Sequence, residues 1–327
     1  MTPSRPLLAA LCAVSAAWAG VAAAQTPAPA TPAAVDPTES AVVQELEVIG
    51  RFPGPRLWTV RRGGAEVVIL GGLTPLPHAL EWNALRLERA MEGAREVLLP
   101  PTGRVGALDA LYILFHAGEL QLPGGETLER KLGPDAFRRF EAQRLRAKTE
   151  QKRYTHLKPA VAAALLNSDV IKAIGFSSAK PGSTVKTLAD KRHIRTRSEG
   201  GIPVPQGFRA LVRLSDGDSA VCVNAVLDEL DDLERYGRTL ADAWANGDLK
   251  VVRAQYVNGG FDRCIAGNPG LKAFSDKLTQ DAAAAVGRAL DQGGKTVAVI
   301  DLKLLLQPNG VLDRLKAQGA EITVPKE

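Results

Sequence analysis

Arg56-Leu57-Trp58-Thr59-Val60-Arg61-Arg62-Gly63-Gly64-Ala65-Glu66-Val67-Val68-Ile69-Leu70 is the stretch that decides the fold class. Two strand-like runs flank a Gly-Gly pair, the pattern of a β-hairpin closed by a tight turn. Gly71-Gly72 reads as the break at the end of the second run, and Pro75 and Pro77 forbid its continuation. Downstream, a helix is expected over Glu81–Arg95, with Leu85, Leu87 and Met91 on its apolar face, then a short strand over Glu96–Leu99 stopped by Pro100-Pro101. The other end of the chain repeats the theme. Thr296–Asp301 has the character of a buried strand, Val311–Gln318 of a helix closed by Gly319, and Ala320–Val324 of a final strand. Strand–helix–strand thus occurs twice, over Val67–Leu99 and Thr296–Val324, which predicts an α/β fold with a central β-sheet flanked by helices.

Between these units the pattern is helical. Helices are expected over Val105–Phe115, Leu128–Lys131, Pro134–Gln151 and Lys158–Ser168, and a mixed stretch from Gly175 to Gly200 holds one near Val185–Lys191. The longest runs over Asp218–Asn246, where Cys222, Val226, Leu230, Leu233, Leu240 and Trp244 recur near the 3.6-residue period. Gly247 ends it, Asp248 can cap a short helix after it, and another helix covers Ser275–Leu290. No repeat or linker divides the body, so residues 51–327 read as one domain, with Trp58 and Trp82 packing near the hairpin.

The first fifty residues are of another kind. Arg5, an apolar run from Leu7 to Ala23 and the small residues Ala22-Ala23-Ala24 are the three parts of a secretory signal peptide over 1–24, with the mature start near Gln25. An uncleaved anchor is the competing reading; the run is rich in Ala and poor in Leu, which suits cleavage better than permanent residence in a bilayer. Cys12 lies inside the run, not at its end where a lipidated cysteine would sit. Residues 25–50 open on a Pro-, Ala- and Thr-rich tether that cannot bury a core. The expected location is therefore periplasmic or secreted, with no transmembrane span in the mature protein. About 290 residues remain, enough for a substantial core.

The formal charge of +5 is mild. Basic residues gather in Arg138–Arg153 and Lys186–Arg197, but with acidic residues such as Glu141 and Glu150 among them and few aromatics, so they read as solvated helix faces and no nucleic-acid partner is expected. With Cys12 removed, Cys222 and Cys264 form an even pair in an exported chain, which predicts one disulfide. A catalytic thiol would need a histidine partner, and neither cysteine lies in a nucleophile motif. Closing such a loop stabilises by about 4 kcal/mol in the chain-entropy model.

Three blocks of the sequence resemble the TraB/GumN family, which includes the Tiki-type metalloproteases. Leu57-Trp58-Thr59-Val60 with Val67-Val68-Ile69-Leu70-Gly71-Gly72-Leu73-Thr74-Pro75 resembles its opening hairpin, which leads into Gly-x-x-His. Ala241-Asp242-Ala243-Trp244-Ala245-Asn246-Gly247-Asp248-Leu249 is similar to the Ala-Trp-x-x-Gly-Asp segment of secreted members. Val297-Ala298-Val299-Ile300, followed by Asn309-Gly310-Val311-Leu312-Asp313-Arg314-Leu315 and Gly319, resembles the closing strand, helix and strand. The resemblance implies that active members hold a divalent metal with two Gly-x-x-His motifs and a strand-end Glu, and use it to hydrolyse peptides.

Here the matching positions are Gly71, Thr74, Leu99, Asp301 and Leu304. Thr74 stands where the first His belongs, Leu99 near the Glu, Asp301 at the second Gly and Leu304 at the second His. The family's Arg-Asn pair falls in Lys277-Leu278-Thr279-Gln280. A leucine cannot ligate a metal and a threonine hydroxyl is a poor substitute for imidazole. Four histidines follow the signal, His78, His116, His156 and His193, and none has His-x-x-x-His spacing. Glu199-Gly200-Gly201 is Gly-rich but lacks the strand-to-helix setting of a phosphate loop.

The expectation is an exported, catalytically inactive protein with no cofactor, serving the cell envelope, exopolysaccharide physiology included, by binding an envelope protein or a small molecule. The alternative is a hydrolase dependent on Mn²⁺ or Co²⁺ with a rearranged site built from Thr74, His78 and Asp301. A third reading is a purely structural partner in an envelope assembly.

Overall fold

The computed structural model describes residues 53–101, 106–198, 204–256 and 260–325. The signal peptide, the tether and the Glu199–Gly201 turn anticipated above lie outside them. The hairpin forms as its sequence requires: β1 (Leu57–Arg62) pairs antiparallel with β2 (Ala65–Gly72), from Leu57↔Leu70 to Arg62↔Ala65. Gly63 and Gly64 make the turn at φ 55° and 81°, a left-handed pair that favours glycine twice over.

After the hairpin come β3 (Leu76–Pro77), α1 (Leu85–Met91), β4 (Ala94–Leu99), α2 (Ala107–Phe115), α3 (Leu128–Ala147), α4 (Pro159–Ala173) and β5 (Phe176–Ser177), the last paired with β3 in a small second sheet. Then follow α5 (Gly182–Lys191), β6 (Arg195–Ser198), α6 (Val204–Val212), α7 (Asp216–Ala245), α8 (Leu249–Tyr256), α9 (Gly260–Gly267) and α10 (Pro269–Asp291). The chain closes through β7 (Lys295–Asp301), α11 (Leu302–Leu306), α12 (Val311–Ala317) and β8 (Glu321–Thr323). The main sheet has the order β6-β4-β7-β2-β1-β8. β2, β4, β6 and β7 are linked by parallel ladders, and β1 runs antiparallel to both of its neighbours.

Several sequence expectations are corrected. β2 does not break at Gly71-Gly72; both glycines stay in the strand because they pair with Ile300 and Asp301 of β7. The helix expected over Glu81–Arg95 is shorter: Asn83 Oδ1 accepts from Leu85 N at 3.0 Å just ahead of it, and Ala94 already belongs to β4, whose neighbour β7 takes it into the ladder. α10 begins before Ser275, because Asn268 Oδ1 accepts from Leu271 N at 3.0 Å and Pro269 occupies the first turn. α6, α9 and α11 were not anticipated. The two expected helices at Leu128–Lys131 and Pro134–Gln151 are halves of α3, kinked at Gly133. Asp248 caps α8 as expected, its Oδ1 accepting from Val251 N at 3.1 Å.

The sheet and the helices on it share one core, in which Trp58, Val60, Ile69, Leu70, Val97, Val297 and Ala298 are sealed beneath α1, α5, α10 and α12. α3, α4 and the first half of α7 enclose a second, around Phe140, Tyr154, Leu166, Val223 and Leu227. On its outer side the basic residues of α3 are spent on ion pairs: Arg139 reaches Asp228 at 2.8 Å and Asp231 at 2.9 Å, and Arg146 reaches Glu234 at 2.7 Å. Cys222 of α7 and Cys264 of α9 are disulfide-bonded, with Leu271 and Ala225 packed around them. No helix among the described residues is long and apolar enough to cross a membrane.

Candidate functional site

The carboxyl ends of β2 and β7 lie side by side, with Gly72 opposite Asp301. In an open parallel sheet this edge is where the chain turns away and leaves a crevice. Beyond β2 the chain reaches Thr74, and beyond β7 it turns directly into α11. Thr74 Oγ1 donates to Asp301 Oδ2 at 3.1 Å. The other carboxylate oxygen, Oδ1, accepts the Lys303 backbone N–H at 2.9 Å and so caps α11. Tyr256, the last residue of α8, brings its hydroxyl 3.3 Å from Asp301 Oδ2 and 3.4 Å from the Thr74 carbonyl, either of which can accept its proton. Lys303 Nζ sits 5.2 Å from the centre of the Tyr256 ring and 3.6 Å from Glu229 of α7.

Burial shapes the chemistry of this corner. It raises the Asp301 carboxyl above its ordinary range, with the Lys303 N–H and the Thr74 hydroxyl pulling part of the way back. Burial also lifts the Tyr256 hydroxyl well above its usual value, and the neighbouring Asp301 charge pushes the same way. Tyr256 therefore stays a protonated donor, and each oxygen of Asp301 accepts from this chain's own donors.

A divalent metal does not fit this donor set. The corner offers one carboxylate, already engaged by this chain's own donors, and two neutral hydroxyls. Leu99 and Leu304 beside it carry no metal-binding atom, and no group of three or more His, Cys, Asp or Glu that could hold a metal ion exists among the described residues.

Next to the corner opens a cavity of roughly 600 Å³ between the sheet and the helical layer. Leu99, Asp301 and Leu304 line its strand-end wall, with Val226, Leu271, Phe274, Leu278 and Val286 among the apolar side chains from α7 and α10. The Cys222–Cys264 pair forms part of the wall. Polar groups are fewer: Asn167, whose side chain has no hydrogen-bond partner among the described residues, Ser275 and Asp281 of α10, and Glu229, Lys303 and Gln307 near the corner.

Of the residues singled out from the sequence, the structure joins Thr74 and Asp301 and sets Leu99 and Leu304 on the cavity wall. Gly71 is buried one residue further inside β2, where its carbonyl accepts the Trp244 indole N–H at 2.8 Å. His78 is placed elsewhere. It is exposed, its backbone pairs with Gly175 and Lys180, and no hydrogen bond joins its imidazole to Thr74 or Asp301. Tyr256 was missed; nothing around it in the sequence marks it, since its partners lie 182 and 45 residues away.

Among known proteins, the family model described as the TraB/PrgY/gumN family matches residues 56–324, almost the whole body of the chain. The chain belongs to that family. No curated protein and no solved structure matches it.

Proposed function

We propose that this member of the TraB/PrgY/gumN family is an exported, non-hydrolytic protein of the cell envelope that binds a small amphipathic molecule in the cavity beside Asp301. The observation that carries this reading is the pairing of a large apolar hollow with a corner whose polar groups are already engaged with one another. A cavity of roughly 600 Å³ is the size that small-molecule sites take. Left as a void, a hollow of this size would cost on the order of 10 kcal/mol, comparable with the whole stability of a domain. Filled with water, it wets an apolar lining. An apolar chain removes that lining from water and gains about 0.8 kcal/mol for each methylene buried. Asn167 then supplies a hydrogen bond that orients the occupant, and the corner offers neither a nucleophile nor a metal seat. The signal-like N-terminus and the disulfide support the exported setting.

The test is saturable binding of a neutral solvatochromic dye, Nile red, to the mature disulfide-bonded protein. One site with blue-shifted emission is expected, weakened at least tenfold when Ala164→Trp fills the rim. Absence of saturable binding refutes the reading. So does peptide turnover that requires Mn²⁺ or Co²⁺ and disappears in Asp301→Asn.

A further inference from the structure

Two of the helices that wall the cavity, α6 and α10, also line a second hollow, roughly 460 Å³ in volume. Gly207 and Leu211 of α6 face the cavity, whereas Arg209 and Arg213 line the second hollow, joined by Lys277 of α10. Among the described residues its lining includes three basic side chains and no acidic one. Arg209 and Arg213 are exposed, and neither forms an ion pair with any described carboxylate. Arg139, Arg144, Arg146 and Arg153, by contrast, each hold an Asp or Glu within 3 Å. Lys277 does have a partner in Asp281, a turn further along α10.

Phe274 is the side chain common to both hollows. Its ring lies against Gly207, where a Cβ would meet ring carbon Cε2 at 3.2 Å. The partition between an apolar interior and a basic exterior is thus one aromatic ring facing a residue with no side chain. The two hollows meet at that ring.

We infer that the ligand is a long-chain amphiphile with an anionic head, its hydrocarbon in the cavity and its head on Arg209, Arg213 and Lys277. This rests on the reading of the cavity as a binding site. The physical division is plain: the cavity can desolvate a hydrocarbon but offers it no cation free of a carboxylate partner, while the outer hollow presents two unpaired guanidinium forks suited to a carboxylate or a phosphate. The shared chemistry is a single chain ending in an oxyanion, whether from a free fatty acid or a phosphorylated lipid.

The experiment displaces Nile red from the mature protein with four probes of one chain length: dodecanoate, dodecyl phosphate, dodecanol and dodecyltrimethylammonium. Both anions are expected to compete at least tenfold better than dodecanol, and the cation worst. Dodecanoate outrunning dodecyl phosphate marks the carboxylate as the better head, and the reverse order marks the phosphate. In Arg209→Gln/Arg213→Gln the anion preference should fall to within about threefold of dodecanol, with Nile red and dodecanol affinities unchanged. Equal competition by dodecanol and the anions, or a preference that survives the double variant, overturns the inference and leaves the cavity reading standing. Failure of Nile red to bind overturns both.

Discussion

Gly71→Ala should destabilise the protein by about 2 kcal/mol, and the reason lies in two contacts. A Cβ added at Gly71 would stand 2.4 Å from Leu302 Cδ1 and 2.8 Å from Trp58 Cζ3. Carbon atoms in good contact lie about 3.5–4.0 Å apart, so both neighbours must give way by roughly an ångström. Neither has room: Leu302 and Trp58 are each 1% exposed, and the Gly71 carbonyl is pinned by the Trp244 indole. Overpacking of this kind costs about 1–3 kcal/mol, which lowers Tm by roughly 4–8 °C at 2 kcal/mol in a domain this large. Urea and thermal unfolding, followed by tryptophan fluorescence, would measure it. The decisive comparison is a double-mutant cycle with Leu302→Ala, which removes the methyl that the new Cβ strikes. Alone, Leu302→Ala should cost about 2–5 kcal/mol. Together the two should cost at least about 1 kcal/mol less than their sum. If Gly71→Ala falls within about 0.5 kcal/mol of wild type, or the two effects simply add, the steric argument is wrong. The outcome bears on function as well, because the sequence expectation sets Gly71 at the glycine of a Gly-x-x-His motif. Its demand for glycine follows from Leu302 and Trp58 without any metal.

Three further outcomes are expected. Replacing both Cys222 and Cys264 by Ser should lower stability by about 4 kcal/mol, since the bond closes a loop with a sequence separation of 42; an unchanged urea midpoint would contradict this. Because the folded Asp301 carboxyl sits above the ordinary aspartate value of 3.8, the native state holds that proton more tightly than the unfolded chain. Its charge therefore costs stability as pH rises from just below 4 through the folded pKa, and Asp301→Asn should gain on wild type across that rise; a gap that narrows instead would reverse the sign. Trp244→Phe should cost about 1–3 kcal/mol by leaving the buried Gly71 carbonyl without its donor, and a neutral effect in chemical denaturation would show that the carbonyl finds another.

The hairpin, α7 and β7 were legible because local chemistry and burial agree there: Gly63-Gly64 sets the turn, and α7 keeps its apolar period from Cys222 to Trp244 apart from a gap at Tyr236–Gly237. Errors arose where a distant partner decides. Gly71 and Gly72 look like a strand end until Ile300 and Asp301 pair with them. α10 was placed late although Asn268-Pro269 carries a readable start signal. Thr74 and Asp301 could be singled out by position, but their hydrogen bond depends on the β2–β7 register, and Tyr256 enters from a helix that carries no mark of it. The cavity was beyond reach for the same reason, since a hollow is what several helices jointly leave unfilled. α2 forms within the helix expected over Val105–Phe115, but the sequence does not tell which of its side chains find a core: Leu108 is 83% and Phe115 76% exposed.

β7 lies between β2 and β4, which precede it by roughly 200 residues. A chain made from its N-terminus thus has β2 and β4 in hand long before the strand that joins them. Until then β2 carries an open edge beside an almost wholly apolar face, the arrangement most prone to pair with a neighbouring chain. Non-local pairing of this kind folds slowly and late. A product that stops short of Lys295 would lose the middle of its sheet and not a margin, so partial chains are unlike small domains: they are two unmatched halves, and their fate is aggregation or degradation.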